Sequence, residues 1–113
     1  MPMINSKVTM ELTQEKRDAL AKELGKAISI LGKPESYLML GFEQNMPLYF
    51  AGKECDKGAF VQVMLFGGED SNACDKMTAK ICEILDKELG IPGDKVYITY
   101  SGFKNWGWNG SNF

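Results

Sequence analysis

The chain offers few side chains for acid, base or metal chemistry, because none of its 113 residues is a histidine. This absence excludes Ser-His-Asp and Cys-His catalysis and removes the commonest metal ligand, so we expect neither a metal nor a cofactor. The cysteines form no C-x-x-C pair. Candidates come instead from positions at which two similar halves of the chain differ: an early proline, Pro2, a lysine that follows a predicted helix, Lys33, and two polar residues of one predicted strand, Tyr97 and Thr99.

The elements that position these residues follow from hydrophobic spacing. Two segments, 13–31 and 71–89, carry apolar residues at helical intervals. Thr13 and Ser71 are the predicted N-caps, and each segment ends at a glycine with a proline two residues later. Extended apolar runs precede the helices at 2–10 and 60–66 and follow them at 37–42 and 96–100. A short additional strand is predicted at 47–50.

The two halves of the chain form an internal repeat. The interval from Thr13 to Ser71 is the same as the interval from Gly32 to Gly90, and we call it the repeat interval. We therefore predict one domain over residues 1–113, built from two β-α-β pseudo-repeats at about 2–57 and 58–113. The fold class is α+β: the strands would form a four-stranded mixed sheet with both helices on one face. Several strands are apolar on both faces, so the open face requires a cover that a symmetric oligomer would supply.

The repeat also shows where the halves differ. A position needed only for the fold should tend to be similar in both halves, whereas the candidate residues have dissimilar counterparts. Pro2 corresponds to Phe60, Lys33 to Ile91, Tyr97 to Met39 and Thr99 to Gly41. Because Tyr97 and Thr99 lie two apart on one predicted strand, both side chains point to the same face.

The composition limits the classes of partner that the protein is expected to bind. The net charge is -2 and Arg17 is the only arginine, so nucleic acid and anionic membrane surfaces are disfavoured as ligands. No stretch approaches the roughly 20 apolar residues of a transmembrane helix. The first residues lack the apolar core of a signal peptide. We expect a cytoplasmic protein, and secretion without a signal peptide remains an open alternative.

Motifs from residue 2 to residue 113 resemble a known family. They are the Met-Pro-Met-Ile start, Gly32-Lys33-Pro34 with Tyr37, Phe66-Gly67-Gly68, Lys95-Val96-Tyr97-Ile98, and the closing stretch 108–113. Together they resemble the macrophage migration inhibitory factor (MIF) family of the tautomerase superfamily. The resemblance implies a homotrimer of doubled β-α-β units with active sites between neighbouring subunits.

The resemblance also implies a reaction, the keto-enol tautomerisation of an α-keto acid such as phenylpyruvate. Pro2 would act as the general base once Met1 is removed, because a proline nitrogen in a peptide bond has no usable lone pair. Lys33 would bind the substrate carboxylate, and Tyr97 of a neighbouring subunit would assist at the carbonyl. The implied substrate-binding residues are Val63, through its backbone N–H, and Thr99, Trp106 and Trp108.

Three departures from the animal pattern bear on these roles. Thr99 replaces an asparagine that contacts substrate, Trp106 replaces a smaller apolar residue, and Gly58 replaces the second cysteine of a C-x-x-C pair. The alternative function is that of a MIF-like cytokine that binds a receptor and has no physiological catalytic role. A dehalogenase or decarboxylase relative is disfavoured, because such enzymes use arginines and the only one, Arg17, lies early in the first helix.

Overall fold

The computed structural model describes all 113 residues, and two β-α-β units account for most of them. The elements in chain order are β1 (Pro2–Val8), α1 (Gln14–Ala27), β2 (Met39–Glu43), β3 (Tyr49–Phe50), β4 (Lys53–Glu54), β5 (Ala59–Phe66), α2 (Ser71–Leu89), β6 (Val96–Phe103), β7 (Gly107–Trp108) and β8 (Ser111–Asn112). Short 3-10 helices lie at Ile28–Leu31, Glu35–Tyr37 and Gly93–Lys95.

The four long strands form one mixed sheet in the order β2-β1-β5-β6. Within each unit the two strands are parallel, β1 with β2 and β5 with β6, as the crossover through a helix requires. The two units meet through the antiparallel pair β1–β5, in which Pro2 lies opposite Leu65 and Val8 lies opposite Ala59. The predicted α+β fold with a four-stranded mixed sheet is therefore confirmed.

Both helices cover the same face of this sheet. Side chains of β1 and β5 alternate between buried and half-buried, so every second residue points into the core. These residues pack against the apolar faces of both helices, and the helices also contact each other. The other face carries exposed apolar side chains, with Met39 67% and Tyr97 66% exposed. No helix combines the length and the hydropathy that would span a bilayer.

The helix ends test the predicted caps. Thr13 caps α1 as predicted, because its hydroxyl accepts a hydrogen bond from the Lys16 N–H. The prediction for Ser71 was wrong: the carboxylate of Asp70 accepts from the Asn72 N–H at 3.1 Å, and Ser71 is already helical. Asp70 lies one residue earlier with an extended backbone, which is the geometry of an N-cap.

The connection between α1 and β2 differs from the predicted continuous elements. The last turn of the first helix tightens into the 3-10 helix Ile28–Leu31 and ends at Gly32, whose φ is 72°. The predicted strand at 37–42 begins only at Met39, because the Leu38 N–H donates to the Glu35 carbonyl and closes another 3-10 turn. Local turn hydrogen bonds therefore shift the start of the strand by two residues.

Two small hairpins extend the duplication beyond the β-α-β units. The strand predicted at 47–50 is β3, and it pairs with β4, while the C-terminal tail forms the hairpin β7–β8. Each hairpin turns through two residues with positive φ, Ala51-Gly52 in the first and Asn109-Gly110 in the second, as in type I′ turns. The two turns are separated by the same repeat interval as the helix caps and stops, so each unit carries a matching hairpin.

Candidate active site

A cavity of about 650 Å³ opens at the start of β1. Pro2 lines it together with residues from the turn before β2, from β2 itself and from the C-terminal hairpin. These include Tyr37, Met39, Trp106 and Trp108. Three of the predicted site residues, Pro2, Trp106 and Trp108, are thus brought together within one chain.

Lys33 lies at the same end of the sheet. Its ammonium donates a hydrogen bond to the Phe66 carbonyl at 3.1 Å, and the Phe66 N–H donates to the Met1 carbonyl at 3.0 Å. The backbone of Phe66 therefore joins Lys33 to the residue that precedes Pro2. The left-handed Gly32 ends the helical segment and directs the chain so that the half-buried Lys33 turns towards the end of β5.

The N-terminal amine in this cavity is electrostatically perturbed. Partial burial, and secondarily the Lys33 ammonium, lower the pKa of the Met1 α-amine below its usual range. Both effects act in the same direction because each disfavours a positive charge. An amine at the start of β1 is therefore more readily deprotonated than an amine in water.

Two rings that line the cavity, Tyr37 and Trp108, belong to a larger aromatic cluster. Trp108 contacts Tyr37 edge-on with ring centroids 5.6 Å apart, and it stacks on Phe113 at 6.1 Å. Phe113 in turn packs against Phe66 at 5.7 Å. Phe66 and Phe113, which the sequence analysis did not predict as site residues, pack behind Trp108 and do not line the cavity themselves. The Asn109-Gly110 dipeptide is a strong signal for the hairpin that brings Phe113 to Trp108.

Tyr97 and Thr99 lie elsewhere in the same chain. Both are exposed on the open face of β6, as the predicted alternation requires. Tyr97 lies opposite Phe60, five residues along β5 from the partner of Pro2, which corresponds to about 17 Å. The two residues therefore do not reach Pro2 within one chain, and their participation from a neighbouring subunit stays a prediction.

Val63 also lies away from the cavity. Its side chain points into the helix-covered core and is 1% exposed, and the residue is opposite Ile4 in the β1–β5 pair. The backbone groups that approach the N-terminus belong instead to Phe66, three residues further along β5. The proposed contact between the Val63 N–H and substrate stays a prediction.

The fold and the position of this cavity define a domain of the tautomerase superfamily: two β-α-β units joined in one mixed sheet, with a proline and a lysine at its end. The family model for macrophage migration inhibitory factor (MIF) matches residues 1–113. The chain belongs to the MIF family.

Individual relatives agree with this assignment. A macrophage migration inhibitory factor homolog of Trichinella spiralis is 30% identical over 115 residues, and the alignment covers 100% of both chains. The crystal structure of Leishmania major MIF2 is 34% identical with a TM-score of 0.94, covering 100% of this chain and 97% of that one. The Toxoplasma gondii macrophage migration inhibitory factor is 29% identical with a TM-score of 0.89, covering 98% and 99%.

Proposed function

We propose that this protein is a phenylpyruvate-type keto-enol tautomerase that uses the Pro2 nitrogen as its general base after Met1 is removed. The observation that carries the proposal is the position of Pro2, in the lining of a cavity that Tyr37, Trp106 and Trp108 share, with the Lys33 charge acting on the adjoining N-terminal amine. Membership of the MIF family supports the isomerase class.

The suitability of Pro2 as the general base follows from the burial and the charge around it. With Met1 removed, Pro2 becomes a secondary amine at the start of β1, one residue from the present Met1 amine. Burial and the Lys33 charge lower the pKa of the Met1 amine, and we expect both to act on the Pro2 amine as well. A general base is most effective when its pKa is near the working pH, so this environment favours proton abstraction by Pro2.

Removal of Met1 also frees a hydrogen-bond donor. The Phe66 N–H loses the carbonyl to which it donates, whereas Lys33 keeps its contact with the Phe66 carbonyl. A substrate carboxylate between Lys33 and this N–H would accept from both. The aromatic ring of the substrate would then lie along Trp108 and Tyr37, in the edge-on or offset geometry that aromatic rings in contact prefer.

The reaction is a net transfer of one proton from carbon to oxygen. The neutral Pro2 nitrogen takes a proton from C3 of the α-keto acid as the C2–C3 double bond forms, and the protonated Pro2 then gives this proton to the carbonyl oxygen, which yields the enol and restores the neutral base. The hydroxyl of Tyr97 from a neighbouring subunit would donate a hydrogen bond to the carbonyl oxygen as negative charge develops on it. Thr99, two residues away on the same face, would line this side of the site.

We infer that the assembly is a trimer, because this arrangement needs a second copy of the chain. The exposed Met39 and Tyr97 on the helix-free face support an interface there. Sedimentation equilibrium should give three times the 12.6 kDa chain mass. Met39→Glu, which places a charge on this face, should lower the assembled mass, whereas Lys26→Glu on the exposed side of α1 should not. A wild-type protein that sediments as a monomer would contradict the trimer.

The tautomerase itself is tested with an enol-keto absorbance assay on protein whose intact mass has been measured. Chains that lack Met1 should convert phenylpyruvate, and a chain that carries one extra glycine before Pro2 should not, because its Pro2 nitrogen is an amide. If the Met1-free protein leaves the enol-keto equilibration at its uncatalysed rate while it is fully assembled, the proposed activity is wrong.

A further inference from the structure

Phe50, on the β3–β4 hairpin, packs directly against Tyr97. The ring centroids are 5.7 Å apart and the planes are tilted by 45°. On the same ring, the Lys95 ammonium lies 5.1 Å from the centroid, at a distance typical of a cation–π contact. Phe50 is therefore half-buried between Tyr97, in β6, and Lys95, the residue just before β6.

The same contact exists in the other unit of the repeat. Phe50 corresponds to Trp108 at the repeat interval, and Lys95 corresponds to Tyr37. Each hairpin thus places one aromatic ring on the last residue of a 3-10 turn, Glu35–Tyr37 or Gly93–Lys95, just before a long strand. The Trp108 ring lines the cavity that holds Pro2. Its counterpart, Phe50, contacts Tyr97, so it is well placed to serve the part of a composite site that Tyr97 would supply to a neighbouring subunit.

Tyr97 needs such support. Its side chain is 66% exposed, and its hydroxyl makes no hydrogen bond within the chain, whereas the hydroxyls of Tyr49 and Tyr100 bond to Glu54 and Thr78. The Phe50 ring is the aromatic contact that restricts the Tyr97 ring. An exposed tyrosine without such a neighbour samples several staggered rotamers.

We propose that Phe50 is a positioning residue that fixes the ring of Tyr97 so that its hydroxyl meets the carbonyl oxygen of a substrate bound in the neighbouring subunit. The proposal rests on the proposed tautomerase reaction and on the contribution of Tyr97 from a second copy. The two-residue turn Ala51-Gly52 makes β3–β4 a short hairpin and gives the Phe50 ring little freedom to move.

The kinetic test is a double-mutant cycle of Phe50→Leu and Tyr97→Phe. Phe50→Leu should lower kcat by about tenfold and leave KM within about twofold, because a displaced hydroxyl weakens contacts made in the transition state. In the Tyr97→Phe background the same change should have almost no further effect on kcat. Phe50→Tyr, which keeps the ring, should behave like wild type, and so should the matched hairpin control Tyr49→Leu.

Two kinetic results would overturn the proposal: an unchanged kcat in Phe50→Leu, or an equal loss of kcat with and without the Tyr97 hydroxyl. A readout independent of activity is the set of three-bond couplings that report the χ1 rotamer of Tyr97 in the assembled protein. Phe50→Leu should average these couplings over several staggered rotamers, and Tyr49→Leu should not. If the wild type is inactive, the tautomerase fails, but the NMR comparison still decides whether Phe50 holds Tyr97; unchanged Tyr97 couplings in Phe50→Leu overturn that role.

Discussion

Replacement of Pro2 by glycine is expected to lower kcat/KM for phenylpyruvate tautomerisation by a factor of about 100 to 10,000, the usual contribution of a positioned general base. Glycine keeps an amine at the start of β1 but removes the ring that makes this nitrogen a secondary amine and restricts its orientation. Loss of the ring also lets the amine rotate freely about the N–Cα bond. The measurement is steady-state kinetics on protein whose mass confirms removal of Met1.

The control for this prediction separates chemistry from folding and assembly. Pro2→Gly should sediment like the wild type, since the β1–β5 pair continues from Met3 to Val8 beyond the substituted position. Lys26→Ala, an exposed substitution on α1, should keep full activity. A Pro2→Gly enzyme within about threefold of the wild type would remove Pro2 from the role of base.

The same variant also separates the enzyme from the receptor-binding alternative. Receptor binding depends on surface shape, so a MIF-like cytokine would bind its partner equally well with glycine at position 2. Loss of catalysis with retained binding would indicate two independent properties of one surface. A Met1-free wild-type protein that binds its partner but does not catalyse the reaction would favour the receptor-binding function.

Much of the fold is predictable from the sequence, because the helices and strands follow from regularly spaced apolar residues and from the glycines and prolines that end them. The helical spacing and the glycine stops placed both helices, and the constant repeat interval indicated a sheet built from two equivalent halves. The Ser71 cap and the start of β2 were predicted one or two residues away from where they lie. These boundaries depend on which of several adjacent polar groups captures a free N–H, and hydrophobic spacing does not encode that choice.

The site was predictable only in part, for a different physical reason. Pro2, Trp106 and Trp108 meet because the chain start and the C-terminal hairpin lie at the same end of the sheet. The role of Phe66 depends on its backbone, whose carbonyl and N–H contact Lys33 and Met1 whatever the side chain is. Residue type carries no information about such backbone contacts, so Phe66 could not be identified from the sequence. The resemblance to the family implied a backbone contact of Val63, and that contact stays a prediction.

Removal of the Lys33 charge should produce the second large effect. In Lys33→Ala, kcat/KM for phenylpyruvate should fall by about 10- to 100-fold at a pH where the base is already neutral, which corresponds to the loss of a charge-assisted hydrogen bond worth about 1.5–3 kcal/mol. The loss should appear largely in KM if Lys33 binds the carboxylate equally in ground and transition states. A substrate analogue with an ester in place of the carboxylate should be almost insensitive to the substitution.

The pH profile gives an independent readout of the same residue. The base acts when neutral, so kcat/KM should rise with pH through the pKa of the Pro2 amine and then become constant. Burial and the Lys33 charge lower the pKa of the Met1 amine, burial being the larger cause, and we expect the same two effects at the Pro2 amine. Without Lys33 this pKa rises, and the ascending limb should move to higher pH, although not as far as the value of a fully solvated amine, because burial persists. Lys33→Arg keeps the charge and should leave the limb in place while its altered geometry raises KM. An unshifted limb in Lys33→Ala would mean that Lys33 binds substrate without tuning the base, and the low pKa would then be due to burial alone.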